Sequence, residues 1–169
     1  GYSFLKTYYR SCVKSKEAIS ICAINQDDKK LLGFAVGCLN SKGFNKRLIL
    51  SNSLEYSYRA ILLLFTKPIA LIRLFKNLAK NNDKDDKGNY AELLSIGVSP
   101  DQNGFGIGQN LLVKFENQVR EKGINTITLT TDADSNDSVL RFYKKSGYSV
   151  YYDFETFPNR KMLKLIKEL

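Results

Sequence analysis

Apolar residues recur along this chain with two spacings, one typical of helices and one typical of strands. Helical spacing at Phe4, Leu5, Tyr8 and Tyr9 predicts an amphipathic first helix, and two β-prone runs after it predict a hairpin. A second apolar stripe at helical spacing follows, until Pro68 stops or kinks it. The predicted elements of this half are a helix over 2–16, strands over 18–24 and 31–39, helices over 43–80 and a charged loop over 81–89.

The second half of the chain alternates strand and helix patterns before it closes on two strands. The predicted elements are a strand over 91–98, a helix over 106–122, a strand over 125–131, a helix over 137–146, and strands over 148–154 and 161–167. This order indicates a mixed α/β sandwich layered around one sheet. We expect one domain over residues 1–169, with 43–89 as a helical insertion and loop between the second and third strands.

The absence of histidine restricts the chemistry that this chain can perform. Serine–histidine and cysteine–histidine nucleophilic schemes are excluded, and so are histidine-based metal sites. No carboxylate cluster with metal-like spacing replaces them, so no metal site is expected. A general base must therefore be a carboxylate, a lysine, a tyrosine or a relayed water.

The formal net charge of +9 is concentrated in one segment. Between Lys42 and Lys87 there are ten basic residues and four acidic ones, a surplus of six. Such a segment attracts an anionic substrate or surface, although a solvated basic helix face explains it equally well. The apolar run over 61–72 is short and contains Lys67, so it does not predict a membrane span.

Three cysteines, Cys12, Cys22 and Cys38, have neither paired nor metal-like spacing. This pattern predicts reduced core residues in a cytoplasmic protein, and no signal peptide pattern is present.

A glycine-rich turn follows the strand over 91–98 and leads directly into a helical pattern. Gly104, Gly106 and Gly108 let the backbone expose N–H groups at a helix start, where a phosphate can bind. A dinucleotide fingerprint would need glycine where Leu111 stands, and a P-loop would need Lys-Ser/Thr after Gly108. A glycine-rich helix cap without a ligand is the alternative.

Two separated motifs resemble those of the GNAT superfamily of acetyl-CoA-dependent N-acetyltransferases. The pyrophosphate loop of that family, Arg/Gln-x-x-Gly-x-Gly/Ala, corresponds to Asn103-Gly-Phe-Gly-Ile-Gly108, and its second motif corresponds to Asn136-Asp-Ser-Val-Leu-Arg-Phe-Tyr-Lys-Lys-Ser-Gly-Tyr148. The match covers about residues 90–150, and residues 1–42 fit the opening helix and hairpin loosely. Asn103 and Val139 depart from the family pattern, and no first strand precedes the opening helix.

The resemblance implies a splayed central sheet, with acetyl-CoA as the donor cosubstrate. The edge of the third strand would pair with the pantetheine arm, and the glycine loop would receive the pyrophosphate. The implied cofactor-binding residues are Ile96, Gly97, Val98, Asn103, Gly104, Phe105, Gly106, Ile107, Gly108, Gln109, Asn136 and Tyr143.

The same resemblance implies direct transfer in a ternary complex, with Tyr143 donating a proton to the departing sulfur. Glu92, at the start of the third strand, is the first candidate for the base. Simple alternation places it on one face with Leu94, Ile96 and Val98, an apolar setting that would strengthen it as a base. Asp132, Asp134 and water are alternatives, and Asp134, Ser135 or Asn136 is expected to cap the next helix.

The acceptor is expected to be a small-molecule amine with an acidic group, such as an amino sugar on a nucleotide diphosphate. Other small amines, an antibiotic and a protein amine remain open, and nucleic acid is not expected. A non-catalytic acyl-CoA-binding module is a second class of function. Docking to a membrane surface or a partner through residues 56–75 is a third, and both a monomer and a homodimer fit the sequence.

Overall fold

A computed structural model of the chain describes residues 2–53, 56–57 and 90–169. The predicted strands, and the predicted helices outside the insertion, are confirmed with ends displaced by one or two residues. The elements are α1 (Tyr2–Lys14), β1 (Ala18–Ile24), β2 (Leu31–Cys38), α2 (Phe44–Ser51), β3 (Ala91–Val98), α3 (Ile107–Glu121), β4 (Thr126–Asp132), α4 (Asp137–Lys145), β5 (Ser149–Thr156) and β6 (Arg160–Glu168). The predicted helices and loop over 58–89 lie outside the described residues, and so does most of the basic segment.

The six strands form one mixed sheet in the order β1-β2-β3-β4-β6-β5. The β3–β4 pair is parallel, and each of the other neighbouring pairs is antiparallel. The predicted hairpin is therefore β1–β2, and the α/β sandwich around one sheet is confirmed. Gly123 and Gly147 end α3 and α4 in the left-handed conformation, as their positions in the sequence predict.

Helices cover both faces of the sheet, and each face has its own apolar cluster. On one face, α3 and the second half of α4 pack against the sheet with Leu112, Phe115 and Val119 fully buried. On the other face, α1 and α2 bury Cys12, Phe44 and Leu48 against Val36 and Cys38 of β2. The sheet thus separates two layers of helix. The face on which a strand residue lies decides which of the two layers it contacts.

The strands β3 and β4 pair over only three residues and then part. Ala91–Leu93 is in register with 127–129, and no pairing between these two strands continues beyond Leu93 in the described sheet. Directly after this point β3 contains a bulge, because its partners on β2 change from Gly37 opposite Leu93 to Val36 opposite Ser95. The backbone groups of β3 that face β4 after Leu93 are left without a strand partner.

The bulge corrects the expected alternation along β3. Leu94 is the extra residue, so the side chains after it exchange faces. Glu92 lies opposite Cys38 and shares the α1/α2 face with Leu94, as expected. Ile96 and Val98 instead pack on the α3 side, so the prediction that they share a face with Glu92 is wrong.

The cysteine prediction holds for two residues of three. Cys12 and Cys38 are buried and reduced, whereas Cys22 is reduced but exposed on the edge strand β1, so it is not a core residue. Burial raises the pKa of Cys12 to about 11 and that of Cys38 to about 12, which keeps both thiols protonated near neutral pH.

Among the described helices none is long and apolar enough to cross a membrane.

Gly37 permits the close approach of α3 to the sheet beside the bulge. A β-carbon at this position would lie 2.4 Å from the Phe115 ring and 2.5 Å from the carbonyl oxygen of Glu92. Both distances are shorter than van der Waals contact allows, and one of the atoms belongs to the backbone.

We therefore expect Gly37→Ala to destabilise the fold by about 1–3 kcal/mol, because the new methyl group must displace Phe115 or β3. Urea unfolding followed by circular dichroism measures this change. Gly108→Ala is the matched control, since its β-carbon would lie at an ordinary 3.6 Å from the Val98 side chain. Equal stability of the two variants would contradict the close approach.

Candidate functional site

The glycine loop ends at a helix start whose N–H groups have no internal partner. Gly104 and Gly106 have φ of 88° and 75°, so both use the left-handed conformation. Gly106 is the N-cap of α3, and no side chain caps this helix. The first helical hydrogen bond runs from the Asn110 N–H to the Gly106 carbonyl, which leaves the N–H groups of 106–109 available. A helix start of this kind binds anions.

The three glycines have different roles in this loop. A β-carbon at Gly104 or Gly106 would meet nothing within 4 Å, so conformation and not space requires glycine there. Gly108 has an ordinary conformation and ordinary contacts, which fits the tolerance of the motif for alanine at this place. Phe105 is 74% exposed, and Asn103 is exposed in an extended conformation before the loop.

The predicted cofactor-binding edge is the part of β3 that no longer pairs with β4. Ile96, Gly97 and Val98 are all half-buried and follow the bulge. Gly97 lies three residues beyond the bulge at Leu94. Its missing side chain accommodates the Phe34 ring, which would lie 3.1 Å from a β-carbon.

Gln109 and Asn136 are both engaged through their side chains. Gln109 accepts a hydrogen bond from the Ser146 hydroxyl at 3.0 Å, which joins the first turn of α3 to the end of α4. Asn136 is at the N-cap position of α4 but makes no capping hydrogen bond, so the predicted cap is wrong in this detail. Its amide nitrogen donates to the Thr131 hydroxyl (2.7 Å) and the Asp132 carbonyl (3.0 Å) at the end of β4. Its carbonyl oxygen is the remaining polar atom.

Tyr143 lies in the apolar cluster on the α3/α4 side of the sheet. It is 6% exposed, and its ring makes edge contacts with Phe142 and Tyr148 at centroid distances of 5.1 and 5.7 Å. Burial raises the pKa of Tyr143 to about 12, so the hydroxyl is a proton donor at every physiological pH.

Glu92 is half-buried on the opposite face, and its partner is a lysine from β6. The Lys164 ammonium donates to Glu92 Oε1 at 2.9 Å, and the side chains of Lys164 and Glu92 are only 9% and 18% exposed. The same ammonium lies 5.0 Å from the centre of the Tyr90 ring. The setting of Glu92 is thus an ion pair and not the apolar environment that alternation suggested.

The structure separates the other two candidate bases from this position. Asp132 forms a bidentate ion pair with Arg160 at the end of the β4–β6 ladder. The hydrogen bonds from the Arg160 guanidinium lower the pKa of Asp132, which makes this carboxylate a weaker base. Asp134 is two residues further along, beyond the end of β4. Glu92 alone of these three acids lies beside the point where β3 and β4 part.

The described residues fit the donor that the sequence implies. A thioester of coenzyme A needs an anion site for its pyrophosphate and an extended backbone edge for its amide-bearing arm. The uncapped start of α3 supplies the first, and the unpaired edge of β3 after Leu93 supplies the second.

Comparison with known sequences agrees with this geometry, since the profile of the "Acetyltransferase (GNAT) family" matches residues 3–148. The chain belongs to the GNAT acetyltransferase family. A curated relative, mycothiol acetyltransferase from Arthrobacter sp. (strain FB24), is 33% identical over 58 residues, which are 34% of this chain. The match spans only 18% of that relative's length.

Two solved structures share the GNAT fold with this chain. Naa20 from Chaetomium thermophilum, in complex with a bisubstrate analogue, has a TM-score of 0.62 at 17% identity and covers 98% of this chain and 73% of its own. The PaiA N-acetyltransferase from Thermoplasma acidophilum, in complex with coenzyme A, has a TM-score of 0.54 at 19% identity and covers 98% and 69%. The TM-scores show a common fold, and the acceptor is a separate question.

Sequence reasoning missed the two β6 cations that hold the candidate acids. Arg160 and Lys164 lie on the strand after a chain reversal, 28 and 72 residues from Asp132 and Glu92. The alternation of β6 contained a signal, since Met162, Lys164 and Ile166 share one face, and a lysine between two apolar residues of a strand face indicates a buried partner.

We expect Gly106→Ala to weaken acetyl-CoA binding about 5- to 30-fold, because an alanine in the left-handed conformation costs about 1–2 kcal/mol. Isothermal titration with acetyl-CoA measures this loss. Gly108→Ala should bind as the unmodified chain does, since it needs no unusual conformation. Equal losses in the two variants would show that the loop geometry does not determine donor affinity.

Proposed function

We propose that this GNAT chain transfers the acetyl group of acetyl-CoA directly to an amine, with the donor bound across the gap between β3 and β4. The observation that carries the proposal is the gap itself, bordered by the unpaired edge of β3 and the uncapped start of α3. Gly104–Gly108 hold the pyrophosphate through backbone N–H groups, so the loss of a charged side chain at Asn103 is tolerated. Ile96–Val98 supply the edge for the amide-bearing arm, and Asn136 accepts a hydrogen bond beside it.

The proposed acid and base approach the gap from opposite faces of the sheet. Glu92 lies on the α1/α2 face and Tyr143 in the cluster on the α3/α4 face. An amine on the α1/α2 face loses a proton to Glu92 as it attacks, and Tyr143 protonates the sulfur that departs. The buried thiols of Cys12 and Cys38 remain protonated, which favours direct transfer over an acyl-cysteine intermediate.

Tyr143→Phe should lower kcat about 100-fold and leave the KM for acetyl-CoA nearly unchanged, because only the departing thiolate needs the proton. The hydroxyl form persists up to its pKa of about 12. The ratio of the two kcat values should therefore stay constant from about pH 7 to about pH 10. Release of the coenzyme A thiol measures kcat, and an unchanged kcat would support a non-catalytic acyl-CoA-binding module.

The acceptor that we propose is a small-molecule amine carrying an anionic group. A cavity of about 410 Å³ lies between the end of α1 and α2, and Lys14, Lys16 and Arg47 are among its lining residues. Arg47 is paired with Glu17 at 2.7 Å, which leaves the two lysines as the unbalanced charges of this lining. The cavity is also lined by Phe44 and Leu48, whose cluster occupies the face of the sheet that bears Glu92.

A panel of amines tests both parts of this proposal. We expect release of coenzyme A with amino sugars linked to nucleotide diphosphates, and about tenfold lower kcat/KM when the phosphates are removed, as one lost charged contact predicts. Lys14→Gln combined with Lys16→Gln should remove that preference without changing acetyl-CoA affinity. Turnover with peptides alone would replace the small molecule by a protein amine, and no turnover with any amine would contradict catalysis.

A further inference from the structure

Strand β6 carries two lysines that form buried ion pairs with glutamates, one on each face of the sheet. Lys164 pairs with Glu92 on the α1/α2 face at 2.9 Å, and Lys167 pairs with Glu116 of α3 on the other face at 2.7 Å. The second pair lies under the Tyr148 ring, within the α3 layer. The two pairs resemble each other in chemistry and burial, but only the first borders the gap.

The Lys164–Glu92 pair crosses an entire strand. Glu92 is opposite Thr128 on β4, whereas Lys164 is opposite Thr130, so the two side chains meet diagonally over β4. Adjacent strands are about 4.8 Å apart, and the two backbones are thus separated by about 10 Å. Only two long side chains extended toward each other can close that distance, and the small, fully buried Thr128 leaves room beneath them.

The ion pair engages one side of the carboxylate only. Lys164 donates to Oε1, and Oε2 has no recorded partner within the described residues. The Glu92 side chain is the more exposed of the two, at 18% against 9% for Lys164. The carboxylate is therefore the more accessible member of this ion pair.

We propose that Lys164 is the positioning residue of this site: it holds Glu92 Oε1, fixes the orientation of the carboxylate, and leaves Oε2 to accept the proton of the acceptor amine. This inference rests on the proposed role of Glu92 as the base. The inference gives β6 a part in the reaction. Neither of the two family motifs, which cover 103–108 and 136–148, includes a residue of β6. The ammonium also lies over the Tyr90 ring, 5.0 Å from its centre.

Lys164→Met tests this role, with methionine replacing the length of the side chain but not its charge. A carboxylate that loses an adjacent cation binds its proton more tightly. We therefore expect the acid limb of the kcat/KM profile to move to higher pH by about one pH unit or more. Near neutral pH we expect at least a tenfold loss of kcat/KM, because the carboxylate is no longer held in a fixed orientation toward the amine. Lys164→Arg keeps the charge and should keep the limb in place.

Lys167→Met is the matched control, since it breaks the equivalent buried pair on the other face of the same strand. It should leave the acid limb unchanged. If Lys164→Met does not move the limb, or if Lys167→Met moves it equally, the positioning role is wrong. A fall in activity without movement of the limb would reduce Lys164 to a structural residue.

A spectroscopic readout keeps the inference testable independently of turnover. The ¹³C resonance of the Glu92 carboxyl group, assigned by its absence in Glu92→Gln, should titrate at higher pH in Lys164→Met than in the unmodified chain and in Lys167→Met. An unmoved titration overturns the inference. A moved titration in a chain that acetylates no amine leaves the Lys164–Glu92 contact established and rejects the proposed function alone.

A double variant guards against loss of folding, because removing one partner of a buried pair is more harmful than removing both. In the Glu92→Gln background, Lys164→Met should cause no further fall in kcat/KM, since Lys164 acts through the carboxylate. A further fall of tenfold or more would show that Lys164 acts on the substrates directly and would overturn the positioning role.

Discussion

The parting of β3 and β4 after three paired residues is the constraint on which the rest of this structure depends. A parallel pair that continued beyond Leu93 would close the sheet and leave no edge for a ligand. The bulge at Leu94 bends β3 away from its neighbour, and the close contact of Phe115 with Gly37 supports the sheet beside the bend. The strand therefore ends at the glycine loop with its far side open, and the N–H groups at the start of α3 follow directly.

The cations of the site come from β6, two strands away from β3 in the sheet. Lys164 and Arg160, both on β6, each hold one acid that the sequence offers as a base. They do so at different depths, because Asp132 is at the exposed end of the ladder and Glu92 is half-buried at the start of the gap. Arg160 engages both carboxylate oxygens of Asp132, whereas Lys164, which reaches across β4, engages only one oxygen of Glu92.

The parts of this fold that depend on local rules could be predicted from the sequence. The strands and the helices α1, α3 and α4 follow from apolar spacing, and the glycine loop follows from two residues that need positive φ. The predictions that were wrong depend on distant partners. A one-residue bulge reversed the faces of Ile96 and Val98, and a contact 72 residues apart in sequence gave Glu92 a cation. The Asn136 side chain donates hydrogen bonds to the end of β4 and does not cap its own helix, because local hydrogen bonds of a side-chain amide compete with capping.

The division of the sheet into two helical layers has an evolutionary consequence. Everything assigned to the donor comes from β3, α3 and α4, while the face that bears Glu92 is covered by α1 and α2. Under the proposed function, substitutions in α1 or α2 reshape the recognition of the amine and leave the thioester subsite intact. A lineage with these proposed sites can change its acceptor and retain its donor, because the two specificities are then encoded in different stretches of the gene.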